Sequence, residues 1–251
     1  MNEPRDRNLA AARAALAAPA RPAEAPAAAV LQVPTLVHGR VLLELPAAAA
    51  PAALLVGFHG YAQRAEDALE FLRPFAAGQP WAIAAPQALH PFYRKDGTIV
   101  AGWMTSLDRE LALADNVAYA ARAVGELRAR LPAVRRLAIV GFSQGVAMAY
   151  RAAARCGYAV DAVVALAGDV PPELRQASWG SRPHVLIGRG SREEWYGEDK
   201  LAADRAVLAE LGLEHEVCAF EGGHEWGEAF VARARRFLAE HLDASAPREG
   251  G

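Results

Sequence analysis

With 251 residues, 53% of them hydrophobic and 22% charged, the chain has the size and composition of one sizeable globular α/β domain and is short for two. A formal net charge of −2, with no Lys/Arg-rich run, argues against a nucleic-acid partner, which demands a basic surplus to neutralise phosphates. Two lone cysteines, Cys156 and Cys218, stand in no metal-ligand spacing and suit a reducing compartment.

Residues 1–29 are rich in Ala, Pro and Arg and read as an extension outside the core, helical in its first half and linker-like from Pro19 to Pro26. Glu3, Asp6 and Arg13 do not fit a secretory signal, so a cytoplasmic location is expected. No membrane span is expected either: the longest apolar run, Pro46 to Phe58, is too short and contains Pro46 and Pro51. The main domain is expected over residues 30–242, with a polar tail over 243–251.

Within that domain Val30 to Leu36 and Gly39 to Leu45 read as two strands. Ala53 to Phe58 is a continuous apolar run ending in His59-Gly60, as in a strand covered on both faces. Arg64 to Ala76 has helical spacing, and Trp81 to Ala85 is a strand stopped by Pro86. An irregular loop runs from His90 through Trp103-Met104, and Leu107 to Arg130 is a long helix. Arg136 to Val140 is a strand, followed by a glycine-flanked turn and a helix to Arg155. Strands over Val160–Ala167, His184–Gly188 and His215–Phe220 alternate with a helix over Asp199–Leu211 and a last helix over His224–His241. This alternation predicts a mostly parallel central sheet flanked by helices on both faces, with ligands bound at the C-terminal ends of its strands.

The chemistry starts at Gly141-Phe142-Ser143-Gln144-Gly145, between a predicted strand and a predicted helix. A sharp turn there lifts a serine hydroxyl clear of a sheet, and the small flanking residues admit the close backbone approach. A hydroxyl needs a base and an oriented partner for the base. Among seven histidines His224 stands out: it follows the last strand in the turn Glu221-Gly222-Gly223-His224. The third member must be a carboxylate between the two in chain order. Glu193, after the His184 strand, is the first candidate; Asp169, at the end of the preceding strand, and Glu194 are alternatives. Two backbone N–H groups are needed for a developing oxyanion, and the amides of Gln144 and Tyr61 are the candidates. Phe92, Tyr93, Trp103, Met104, Trp195, Tyr196 and Trp226 are candidates for lining an acyl pocket, ordinary packing being the alternative for each.

On Phe58-His59-Gly60-Tyr61, Gly141-Phe142-Ser143-Gln144-Gly145 and Gly222-Gly223-His224-Glu225-Trp226, the chain resembles the phospholipase/carboxylesterase family of α/β hydrolases, over about residues 50 to 240. The resemblance implies an α/β-hydrolase fold, an acyl-enzyme on Ser143, a small-molecule ester or thioester substrate, and no metal or other cofactor. Two departures stand out. The family's acid loop usually reads His-Gly-x-x-Asp, whereas here it is Arg189-Gly190-Ser191-Arg192-Glu193, with a glutamate where the aspartate would be. Val146 replaces a second glycine after the serine motif. Two other readings compete: a dienelactone-hydrolase-like lactonase, a type that commonly uses a cysteine nucleophile, and a catalytically inactive hydrolase fold used for binding.

Overall fold

The computed structural model describes residues 28–47 and 50–242. Most of the expected N-terminal extension, including its linker, and the expected C-terminal tail lie outside the described residues. Contacts divide the chain into two units, Met1–Leu36 and Val37–Gly251. The second unit holds every strand and helix described below.

Its elements are β1 (Val41–Glu44), β2 (Ala53–Phe58), α1 (Ala65–Ala76), β3 (Trp81–Pro86), β4 (His90–Tyr93), β5 (Ile99–Gly102), α2 (Arg109–Arg130), β6 (Arg136–Phe142), α3 (Gln144–Arg155), β7 (Ala162–Leu166), a 3₁₀ turn (Pro172–Leu174), β8 (His184–Gly190), α4 (Glu198–Glu210), β9 (His215–Phe220) and α5 (Glu228–His241). Seven strands form one sheet in the order β1-β3-β2-β6-β7-β8-β9. Only β1 is antiparallel to its neighbour, so the expected mostly parallel sheet is what forms.

The apolar runs become strands buried on both faces because their side chains alternate between two cores. On β2, Leu54, Val56 and Phe58 pack with Val124 and Leu127 of α2 and Met148 of α3. Ala53 and Leu55 face the other way, onto Leu72 and Phe75 of α1 and Phe237 of α5. On β6, Leu137 and Ile139 join the first layer and Val140 and Phe142 the second.

Four expectations are corrected. Val30–Leu36 forms no strand: its apolar residues find no partner strand, and Leu31, Val33 and Leu36 are exposed. The stretch from His90 is not irregular but a hairpin, β4 pairing antiparallel with β5. The 22-residue α2 starts at Arg109 rather than Leu107. The last helix begins at Glu228, after Gly227, so His224 stands in a turn rather than on the helix.

The chain leaves β2 toward β3 on one side, then returns to build β6 to β9 on the other. The order of strands therefore reverses between β2 and β6. A crevice opens at such a reversal, beyond the C-terminal ends of the strands. Phe58 and Gly141 are paired in register at that end. Ser143 and the His59-Gly60-Tyr61 turn follow them directly.

Candidate active site

Ser143 sits between β6 and α3 with φ 54° and ψ −123°. A non-glycine residue at positive φ is strained and persists only where its surroundings fix it. Here they do. The Ser143 N–H donates to Leu166 O (2.9 Å), and Val146 N–H donates to Ser143 O (3.0 Å). The flanking glycines are sterically required: a Cβ on Gly145 would stand 2.0 Å from Phe58 O, and one on Gly141 2.6 Å from Gly145 O.

Tyr61 follows β2. The Gly60 N–H donates to Gln63 Oε1 (2.7 Å) and the Gln63 N–H returns to Gly60 O (3.3 Å), closing the turn. A Cβ on Gly60 would lie 3.3 Å from Ser143 Cβ, so this turn abuts the serine. Neither the Tyr61 nor the Gln144 amide N–H takes part in a hydrogen bond among the described residues. His59 is fully buried; its Nε2 accepts the Ala88 N–H (3.1 Å) and its Nδ1 faces Gly60 O (2.8 Å), while burial lowers its pKa. It serves the turn as a neutral ring.

His224 Nδ1 lies 2.8 Å from Glu193 Oε2, and the Glu193 side chain is completely buried. The other carboxylate oxygen, Oε1, accepts the backbone N–H groups of Trp195 (2.8 Å) and Tyr196 (3.3 Å). The acid loop is in turn laced to the histidine loop: Ser191 N–H donates to Phe220 O and Arg192 N–H to Gly222 O, both at 2.8 Å. A Cβ on Gly190 would stand 2.5 Å from the carbonyl oxygens of both Gly222 and Gly223. The Phe142 and His224 rings lie 4.9 Å apart, which sets the histidine beside the residue preceding Ser143. No hydrogen bond joins the Ser143 hydroxyl to His224 among the described residues; such bonds are often long before substrate binds.

The other two carboxylates do not meet His224. Asp169 lines a cavity beside Ser143, and Glu194 is exposed. That cavity, of about 290 Å³, also takes Met104, Gln144, Trp195 and Tyr196 into its walls. The remaining aromatic candidates are spread out. Trp103 is fully buried, its Nε1–H donating to His59 O (2.9 Å). Trp226 stacks on Phe71 at 4.5 Å in the second core layer. Phe92 stacks on the exposed ring of Tyr61 at 5.5 Å, and Tyr93 projects from the hairpin.

Several residues at the site escaped the sequence reading. The Gln144 side chain clamps the segment after β5, accepting from Trp103 N–H (2.8 Å) and donating to Met104 O (3.0 Å). Arg109, Arg151 and Lys200 also line the cavity. Arg151 carried a signal, as a cation inside the alanine-rich run Ala149 to Ala154, where α3 is buried almost throughout. Asp204 of α4 is buried, accepting Tyr196 O–H (2.8 Å) and Val170 N–H (3.0 Å) on the same oxygen, and burial raises its pKa to about 6.

Among the described residues no helix is long and apolar enough to cross a membrane. No protein-family model and no curated protein sequence matches the chain. Solved structures do. Esterase PE8 is 24% identical with a TM-score of 0.68, covering 82% of this chain and 100% of that one. Arabidopsis thaliana SOBER1 is 15% identical with a TM-score of 0.61, covering 76% of this chain and 99% of that one. A phospholipase/carboxylesterase from Dyadobacter fermentans is 15% identical with a TM-score of 0.60, covering 80% of this chain and 96% of its own. The chain has the α/β-hydrolase fold, which it shares with these structures.

Proposed function

We propose that the chain is a serine hydrolase that cleaves carboxylic esters or thioesters through an acyl-enzyme on Ser143. The observation that carries this reading is the buried Glu193 carboxylate 2.8 Å from His224 Nδ1, at the same sheet edge as a strained serine. With Nδ1–H donating to Glu193, the other ring nitrogen, Nε2, is left as the acceptor a general base requires. Esterase activity among proteins of the same fold agrees with it.

In the proposed reaction His224 Nε2 takes the Ser143 hydroxyl proton as Oγ bonds to the substrate carbonyl carbon. Glu193 holds the ring and stabilises its charged form. The amides of Tyr61 and Gln144 donate to the oxyanion, where such donors contribute most because they are fixed before charge develops. The tetrahedral intermediate collapses, the C–O or C–S bond breaks, and the alcohol or thiol leaves with the proton from His224. Water then gives a proton to His224 and attacks the acyl-enzyme; the acid departs as the proton returns to Ser143.

A fluorophosphonate probe, with the labelled peptide identified by mass spectrometry, tests this reading. Labelling at Ser143 is expected, together with a loss of several orders of magnitude in ester turnover for Ser143→Ala. An unlabelled Ser143, or a Ser143→Ala protein that keeps most of its turnover, sinks it.

A further inference from the structure

The cavity beside Ser143 is unusual in its charge. Three cations, Arg109, Arg151 and Lys200, line it against one acid, Asp169. Arg109 and Lys200 are exposed and make no salt bridge among the described residues. Arg151 differs from them: its side chain is 2% exposed, and its Nε–H donates to Glu173 Oε1 (2.7 Å). Among the described residues the hydrogen-bond contact of its outer arm is to a sulfur, with Nη1 4.0 Å from Met104 Sδ, and Arg109 Nη1 reaches the same sulfur at 3.2 Å. Two guanidinium groups thus converge on one thioether, a weak acceptor, at the wall of a cavity. Burying a cation is costly, and one carboxylate bond to a five-donor group offsets only part of that cost. Such convergence of like charge is the arrangement of a site that receives an anion.

The direction is also fixed. Arg151 lies two turns beyond Ser143 on the same helix, about 12 Å at 1.5 Å per residue. Helical side chains lean toward the N-terminus, so the guanidinium reaches back toward Ser143. Met104, which it touches, is held through its carbonyl by the Gln144 side chain, next to the serine.

We propose that this cavity is an anion pocket, and that the ester or thioester cleaved at Ser143 carries a carboxylate on a short acyl chain, held by Arg109, Arg151 and Lys200. The substrate part of this proposal rests on Ser143 being the nucleophile. At about 290 Å³ the cavity is at the small end of ligand sites and suits roughly three methylenes between the two carbonyl carbons.

The test compares kcat/KM for monomethyl glutarate with that for methyl hexanoate, a neutral ester of similar length. Each charge-assisted contact is worth about tenfold to hundredfold, so the glutarate is expected to lead by at least tenfold. In the double variant Arg109→Gln/Lys200→Gln, which spares the buried Arg151–Glu173 pair, that ratio falls toward one. Arg122→Gln removes an exposed cation about 20 Å along α2 from Arg109 and retains it. Calorimetric titration with free glutarate supplies a readout independent of turnover. If neither ester is cleaved but glutarate binds to the wild type and not to the double variant, the hydrolase reading fails while the anion pocket stands. If methyl hexanoate is cleaved as well as monomethyl glutarate, or if the preference survives in the double variant, the proposal is overturned while the hydrolase reading stands. If neither ester is cleaved and glutarate does not bind, both fall.

Discussion

Among the described residues the carboxylate facing His224 is held on its far side by main chain, through the amides of Trp195 and Tyr196. Fixed backbone donors hold one carboxylate oxygen and leave the second aimed at the histidine. Glu193 sits in a tight turn, in which its N–H also donates to Gly190 O (3.1 Å). Glu193→Gln should therefore keep the shape of the loop but lose the oxygen that sets the ring's tautomer. Turnover of a good ester substrate is expected to fall by about 10³–10⁴-fold, with KM changing far less. Glu194→Gln, next door but solvent-exposed, should stay within a few-fold of wild type in the same assay. As candidates, Ser143 and His224 were legible in the sequence because their signals are local: glycines at fixed offsets, each following an apolar run. The carboxylate that meets His224 was not uniquely legible, since the contact joins residues 31 apart and three carboxylates were open in one dimension.

Among the elements, α4 does more than cover the sheet. Its buried Asp204 ties the segment after β7, through Val170 N–H, to the acid loop after β8, through Tyr196 O–H. Burial pushes this carboxyl up to about 6, against about 4 in an unfolded chain. Below pH 4 it is protonated in both states. Between 4 and 6 the unfolded chain has released a proton that the folded chain still binds, so stability falls as pH rises through that window. Above 6 the group is ionised in both states and the cost stays constant, on the order of 2–3 kcal/mol. Asp204→Asn keeps an oxygen able to accept both bonds without the charge. Urea unfolding is expected to find it close to wild type near pH 4 and more stable by up to that amount at pH 7.5. A variant that is less stable at pH 7.5 would refute this account. The elements missed in the sequence were those with weak local signals. β4 and β5 have four residues each, and β4 is interrupted by Pro91 and largely exposed, so no periodicity marks them. Val30–Leu36 has the right residues for a strand, yet a strand exists only where a ladder partner is offered.

For the molecule as a whole, the sheet separates stability from the proposed chemistry along the strand direction. Ser143, His224, Glu193 and Tyr61 all follow strand C-termini, whereas the buried Arg136–Asp161 pair (2.8 Å) lies at the opposite end, where β6 begins and β7 is about to. Asp161 also accepts Leu137 N–H (2.9 Å), and its carbonyl accepts His184 N–H (3.1 Å), so one residue joins the starts of three neighbouring strands. Removing one partner of a buried pair costs about 3–5 kcal/mol. Asp161→Ala should lower Tm by roughly 6–15 °C in calorimetry at this chain length. Turnover at 20 °C, measured on the same preparation, is expected to remain near wild type. The architecture itself was readable because alternation of strands and helices over some 190 residues leaves few topologies.

The main-chain grip on Glu193 bears on how such a protein drifts in sequence. A carboxylate positioned by amides makes no use of the side chains at positions 192 and 194, both of them exposed. What the loop must keep is its path, through Gly190, where two carbonyls leave no room for a Cβ. Positions 192 and 194 are therefore free to diverge while the geometry persists. Recognition by residue identity will fade at this loop first, long before recognition by shape does.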